Sequence, residues 1–101
     1  MLGSGFDLTK RYATINKDPS AVLPYTIDWS PWLEVGDTIV ASVWTLPAGT
    51  LTMDSESHTT TATQIVLSSG DNNKKYDVEN HITTANGLED SRRITLNVAT
   101  R

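Results

Sequence analysis

The sequence contains no cysteine among its 101 residues. Disulfides and thiolate metal sites are therefore excluded, and packing has to stabilise the fold. The sequence also lacks any apolar run near the roughly 18 residues that a membrane-spanning helix needs, so we expect no membrane partner. The opening residues, MLGSGFDLTKRY, lack the apolar core of a secretion signal. We therefore expect the protein to stay where it is made or assembled.

The sequence has only a small excess of negative charge, with a formal net charge of −4. A dedicated nucleic-acid-binding protein would present a basic face, so we predict no nucleic-acid partner. The basic residues occur mainly as short pairs, Lys10–Arg11, Lys74–Lys75 and Arg92–Arg93. Such pairs are typical of a solvated surface.

Catalytic and metal-binding patterns are also missing. There is no glycine-rich phosphate loop and no serine in a GxSxG-like turn. Glu89 and Asp90 are adjacent in a predicted strand, so they point to opposite faces and would not converge as an acid–base pair. His58 lies in an acidic stretch, residues 54–58, that we interpret as a polar loop with too few converging ligands for a metal. We predict no enzymatic activity, no cofactor and no metal.

The densest apolar stretch is residues 17–33, which contains two of the three tryptophans. Tyr25, Ile27 and Trp29 alternate with polar residues there, which predicts a strand with one buried face. Pro24 suits the start of such a strand, because proline has no N–H for a ladder. The sequence thus predicts a first core strand here.

Further strands are predicted over residues 38–46, 51–53 and 61–68, and in two long runs on either side of Asn86–Gly87. The total is about six or seven strands, with turn signals between them and no useful helical periodicity. These features favour an all-β, immunoglobulin-like antiparallel β-sandwich. A small β-barrel is the alternative.

The register of the last hairpin follows from its apolar rows. A three-residue loop, Ala85–Gly87, pairs Tyr76 with Leu96 and Val78 with Ile94, so that both rows face one core. A two-residue loop would place the rows on opposite faces. We predict the three-residue loop, with its glycine in the left-handed conformation that a bulged turn needs.

Large apolar side chains outside the strand pattern are the candidate partner-binding residues. Residues 1–16 are predicted to form an extended N-terminal arm before a domain at 17–101, docking on that domain or on a neighbour; a frayed terminus is the alternative. Trp29 and Trp44 fit core positions, whereas Trp32 and Leu33 would fold back over one end of the core. Trp32 fits the core and a partner surface equally well. The candidates are Phe6, Leu8, Tyr12, Ile15, Trp32 and Leu33.

Three segments resemble one known family. They are Lys17–Leu23 with the run DWSPWL at 28–33, the SVW of residues 42–44, and NHITTANG at 80–87 followed by LEDSRR at 88–93. Together they resemble small tailed-phage structural proteins of the fiber-tail adaptor family. Pro24 departs from that pattern, in which an aspartate is expected, and the first sixteen residues fall outside it.

The resemblance implies a non-enzymatic virion component, made in the host cytoplasm. Its immunoglobulin-like domain would join the neck or tail to fibres or to neighbouring subunits, in multiple copies in a symmetric assembly. Two alternatives remain open: a decoration domain on the capsid surface, and a glycan-binding immunoglobulin-like module. A glycan site would need an aromatic platform, for which Trp32 is the candidate.

Overall fold

The computed structural model describes residues 12–100, with side chains from residue 15 onward. The described residues form seven strands and no helix, which confirms the all-β prediction. The strands are β1 (Tyr12–Lys17), β2 (Leu23–Asp28), β3 (Ile39–Thr45), β4 (Thr52–His58), β5 (Ala62–Ser68), β6 (Lys74–Thr84) and β7 (Glu89–Val98).

The strands form two sheets that pack face to face around one core. The larger sheet has the order β1-β7-β6-β3, and the smaller has the order β2-β5-β4. All neighbouring strands are antiparallel except β1 and β7, which are parallel. The protein is therefore the predicted immunoglobulin-like β-sandwich.

The β6–β7 hairpin has the predicted register. Tyr76 is paired with Leu96, and Val78 is paired with Ile94. Gly87 has a φ of 84°, in the left-handed region that a three-residue bulged loop requires. The predicted core-facing row of β6 is buried throughout: Tyr76, Val78, Asn80, Ile82 and Thr84.

Strand β3 differs from the prediction by one irregularity. A regular strand would place Ile39 and Trp44 on opposite faces, yet both are buried in the core. The pairing of β3 with β6 shifts between Ile39 and Ala41. This bulge adds one residue to β3 and moves the two side chains to the same face. From the sequence alone, regular alternation puts Ile39 on one face of this strand and Trp44 on the other, and that prediction was wrong.

The prediction of a loop at residues 54–58 was also wrong. These residues belong to β4, which pairs with β5 from Thr52 to His58 with one register shift between Met53 and Ser55. Every residue of β4 is exposed, so no apolar alternation marks it as a strand. Its conformation comes from pairing with the strongly apolar β5.

Strand β1 includes the last residues of the predicted N-terminal arm. Tyr12 pairs with Arg93, and Lys17 pairs with Val98. Part of the predicted arm thus docks on its own domain. Docking on this domain and docking on a neighbour were the two possibilities that the sequence left open. The proposed boundary at residue 17 falls inside β1, and residues 1–11 lie outside the described part.

Lys17 anchors β1 and is completely buried. Its ammonium group donates to the backbone oxygens of Ser69, at 2.7 Å, and Asp18, at 3.0 Å. Desolvation lowers the pKa of Lys17 below its ordinary value, although the negative charges of Asp18 and Asp54 act in the opposite direction. The amine thereby joins the end of β1 to the turn between β5 and β6.

A buried hydrogen-bond network joins the two sheets. The indole Nε1–H of Trp29, just after β2, donates to Oδ1 of Asn80 in β6 at 3.0 Å. The hydroxyl of Thr63 in β5 donates to the same oxygen at 2.7 Å. The side-chain NH₂ of Asn80 donates to the Ser42 hydroxyl in β3 at 2.9 Å. The network therefore includes both sheets.

We predict that Asn80→Leu destabilises the protein, because it removes the oxygen that accepts from both Trp29 and Thr63 while keeping a similar side-chain volume. The expected loss in the free energy of unfolding is about 1–3 kcal/mol, measured by denaturant titration. Lys75→Ala, at an exposed position of the same strand, should change it by no more than about 0.5 kcal/mol. Equal stability of Asn80→Leu and the wild type would contradict the role given to the network.

Candidate functional site

Two connections meet at one end of the sandwich: residues 29–38, between β2 and β3, and residues 85–88, between β6 and β7. We call them together the sandwich end. The N–H of Asn86 donates to Oδ1 of Asp37 at 3.1 Å, and the side-chain NH₂ of Asn86 donates to Oε1 of Glu34 at 3.3 Å. These contacts hold the two connections against each other.

Trp32 and Leu33 lie at the sandwich end and pack against the core. Their N–H groups donate to the carbonyl oxygen of Trp29 at 2.9 and 3.1 Å, which folds the chain back as predicted. The rings of Trp32 and Trp29 meet edge to face, with centroids 5.6 Å apart. Both Trp32 and Leu33 are half-buried, so each contributes to the core and to the surface.

A charged pair from β7 covers the other side of Trp29. The guanidinium of Arg92 lies 4.7 Å from the centre of the Trp29 ring, which is a cation–π contact. Its Nη1 is 2.9 Å from Oδ2 of Asp90, and the two side chains are only 13% and 15% exposed. Because each charge has its partner, the pair can stay largely desolvated beneath the surface.

Two exposed apolar side chains complete the sandwich end. Val35 is fully exposed at the tip of its turn, and Leu88 is 41% exposed after the hairpin loop. Sequence reasoning did not single them out, although an apolar residue inside the polar turn at 34–37 is a visible signal. Together with Trp32 and Leu33 they give this end an apolar surface.

Asp37 is the buried carboxylate that fixes the sandwich end. Its Oδ1 accepts the N–H of Thr38 at 2.8 Å as well as that of Asn86. Desolvation raises the pKa of Asp37, but hydrogen bonds from the Thr84 hydroxyl and from the N–H groups of Thr38, Asn86 and Ala85 outweigh it. The resulting pKa lies below the ordinary value of 3.8.

The candidate residues of the arm do not meet at this site in the described part. Phe6 and Leu8 lie outside the described residues. The backbone of Tyr12 pairs with β7, and its side chain is not among those described. Ile15 is partly buried against the core of its own domain. A role of these residues in partner binding therefore stays a prediction.

His81 is part of a hydrogen-bonded trio that the sequence did not reveal. Its Nδ1 is 2.8 Å from the Ser91 hydroxyl, and its Nε2 is 2.8 Å from Oε1 of Glu89. A hydroxyl, an imidazole and a carboxylate in this order can activate a nucleophile. The trio lies on an open sheet face, however, with His81 and Glu89 side chains 41% and 59% exposed. We assign it to cross-strand stabilisation, because a hydrolytic site needs shielded donors for the developing negative charge.

A concavity of about 380 Å³ lies against the smaller sheet. Six of its seven lining residues have polar side chains, and none is a tryptophan, tyrosine or phenylalanine that could form an aromatic platform for a sugar: Thr26, Ser57, His58, Thr59, Ala62, Thr63 and Gln64. Across residues 12–100, no group of three or more His, Asp or Glu side chains is placed to hold a metal ion. The same residues include no helix long and apolar enough to cross a membrane.

Comparison with protein families matches this chain to the family of the podophage GP4 fiber-tail adaptor protein gp77. The match extends over residues 17–97 and so includes every segment that carried the resemblance. It begins at Lys17, the buried anchor of β1. No curated protein sequence matches this chain.

Comparison with solved structures supports the fold alone. The 2,6-sialyltransferase of Photobacterium sp. JT-ISH-224, in a complex with CMP and lactose, superposes with a TM-score of 0.55 and 16% identity. The match covers 88% of this chain but only 18% of the sialyltransferase chain. The PKD domain from KIAA 1837 protein gives a TM-score of 0.49 and 12% identity, over 85% of this chain and 81% of that one.

We predict that Asp37→Asn is less stable than the wild type at neutral pH, and that this difference shrinks in acid. The folded-state pKa of Asp37 is lowered, so its ionised form stabilises the fold above pH 3.8 and this stabilisation is lost as the pH falls through the folded-state pKa. Denaturant unfolding of both proteins between neutral pH and pH values below 3.8 measures the difference. A difference that stays constant over that range would contradict the role of the carboxylate.

Proposed function

Since this chain belongs to the family of the podophage GP4 fiber-tail adaptor protein gp77, we propose that it is a non-enzymatic structural protein of a phage virion. It joins the neck or tail to fibres or to neighbouring subunits, and it is present in multiple copies in a symmetric particle. Its partners are other virion proteins rather than nucleic acid or membrane, and it uses no cofactor. It is made in the host cytoplasm and functions in the particle.

The observation that carries this proposal is the apolar surface of the sandwich end. Val35 and Leu88 are exposed, and Trp32 and Leu33 in the same two connections are only half-buried. Exposed apolar groups that cluster at one place of a small domain are typical of a protein–protein contact. Tryptophan in such a cluster is a common anchor of binding energy.

The sandwich end is also held in a fixed shape. Asp37 ties residues 29–38 to the hairpin, and the turn that begins at Trp29 fixes Trp32 and Leu33. A surface that is already ordered loses little conformational entropy when a partner binds. This preorganisation suits a subunit whose task is a permanent contact.

Residues 1–11 are the second proposed contact. They precede a strand that is docked on the domain, and they contain the large apolar residues Phe6 and Leu8. The proposal places these two residues against other virion subunits. Tyr12 and Ile15 belong to β1 and support the contact by fixing where the segment leaves the domain.

Glycan binding has less support than a virion contact. No tryptophan, tyrosine or phenylalanine lines the concavity on the smaller sheet, whereas glycan sites usually include an aromatic face. A capsid-surface decoration role would use the same fold and the same kind of apolar contact. The position of the protein in the particle distinguishes a decoration role from an adaptor role.

We predict that two variants fold normally but are lost from particles. One deletes residues 1–11, which leaves β1 intact, and the other is the double substitution Val35→Glu with Leu88→Glu at exposed positions. Each should reduce the amount of this chain in purified particles at least about tenfold, because a charge or a deletion removes contact energy of a few kcal/mol. Quantitative mass spectrometry of particles assembled with each variant gives the readout.

Val22→Glu is the matched control, since Val22 is 58% exposed and lies outside the sandwich end. Thermal unfolding of each purified variant verifies that the domain is folded. Incorporation of both test variants at the level of this control would rule out the proposed contacts.

A further inference from the structure

Strand β3 is an edge strand with little protection against pairing. Among residues 12–100, the larger sheet ends at β1 and β3, and the smaller sheet ends at β2 and β4. Edge strands expose unpaired N–H and C=O groups, and proteins usually protect them with charge, proline or a bulge. β2 contains Pro24, and β4 contains two acidic residues. β3 has a bulge near its start, but Ala41–Thr45 continues with no charged residue and no proline.

The exposed side of β3 is apolar. Val40 and Val43 are 56% and 57% exposed, although Trp44 of the same strand is in the core. Backbone groups along a free edge, together with apolar side chains beside it, are what an added strand from another chain requires. The edge of β3 is therefore suited to accept a strand.

The acidic residues near β3 favour a positively charged partner strand. Residues 18–73 contain seven acidic residues and no Lys or Arg, while all eight basic residues lie in 1–17 and 74–101. Strand β4, which contacts β3 from the other sheet, contains Asp54 and Glu56. An incoming segment would be favoured if it were apolar at alternate positions and basic at one end.

Residues 1–11 of this chain, MLGSGFDLTKR, have this composition. Phe6 and Leu8 are two positions apart, so they share one face in an extended chain. Lys10 and Arg11 follow them and carry two positive charges. The segment thus offers apolar groups for Val40 and Val43, and positive charge for the acidic side chains of β4.

The position of β1 favours a segment from another copy. Tyr12 enters the larger sheet at the edge opposite β3, and three strand spacings of about 4.8 Å, or roughly 14 Å, separate the two edges. The segment of the same copy would need about four residues, 8–11, to cross that width. Leu8 and Lys10 would then lie in the crossing and could not pair with β3. The segment of a second copy can place all eleven residues, roughly 36 Å of extended chain, along the edge.

We propose that residues 1–11 of one copy add as a strand to the free edge of β3 in a second copy. This rests on the proposed role as a subunit present in multiple copies. Each copy donates from the β1 edge and accepts at the β3 edge, so the contact is head-to-tail and closes into a ring when the rotation between copies permits. The partner class is therefore a second copy of this chain.

The absence of cysteine allows a direct test with full-length protein. Leu8→Cys and Val43→Cys are purified separately, mixed and oxidised, and Phe6→Cys is tested in the same way to allow for a shifted register. Adjacent strands place Cα atoms within the range that a disulfide requires. In the control reaction, Val22→Cys is used in place of Val43→Cys. The two valines are 58% and 57% exposed, so their cysteines should be equally accessible to an undocked segment.

We expect the disulfide between the segment and Val43→Cys to form on the order of tenfold faster than that with Val22→Cys, because docking raises the effective concentration. Equal rates for both segment positions would overturn the proposal. So would an intramolecular disulfide in the Leu8→Cys/Val43→Cys double variant that persists on dilution, or a predominance of Val43→Cys homodimers. The disulfide assay uses purified protein and the incorporation assay uses particles. Failure of strand addition in the first therefore does not change the result of the second, and loss of the proposed virion role would not change the disulfide result.

Discussion

The structure depends on one hydrogen-bond requirement, that of the Trp29 indole N–H inside the buried core. The indole is almost fully buried, and an unpaired N–H there would cost free energy comparable to a lost hydrogen bond. Oδ1 of Asn80, from the opposite sheet, satisfies it at 3.0 Å. The same amide also binds Thr63 and Ser42, so the network fixes how the two sheets face each other. Apolar packing alone would tolerate more sliding between the sheets.

The sandwich end follows from the position of that indole. Trp32 packs edge to face on Trp29, and Arg92 covers the ring from β7. The half-buried surface proposed to bind a partner is therefore an extension of the core rather than a separate loop. Asp37 completes the arrangement by holding the neighbouring turn against the hairpin. A firm platform at this end suits a protein–protein contact.

The sequence predicted the parts of the fold in which side-chain alternation and turn chemistry agree. The β6–β7 register followed from two apolar rows and one glycine, and the buried strand at residues 25–29 followed from its alternation. Only the start of β4 was predicted, in the strand at residues 51–53. Residues 54–58 were predicted to be a loop because all of the side chains of β4 are exposed and its conformation depends on pairing with β5. The bulge in β3 and the burial of Lys17 depend on neighbours distant in the chain, which local patterns do not show.

The candidate site was predictable in part. Trp32 and Leu33 were identified because large apolar residues follow a strand-breaking proline. Val35 and Leu88 required the structure, since single apolar residues in turns are common and become informative only when they lie together. The free edge of β3 is a property of sheet order, and the seven-strand topology had to be known before it could be recognised.

Electron cryomicroscopy of the assembled particle tests the account most directly. The account predicts density for a seven-stranded sandwich between the tail and the fibres, repeated by the symmetry of the particle, with the sandwich end against a neighbouring subunit. Density for this chain on the capsid surface, or its absence from purified particles, would contradict the adaptor role.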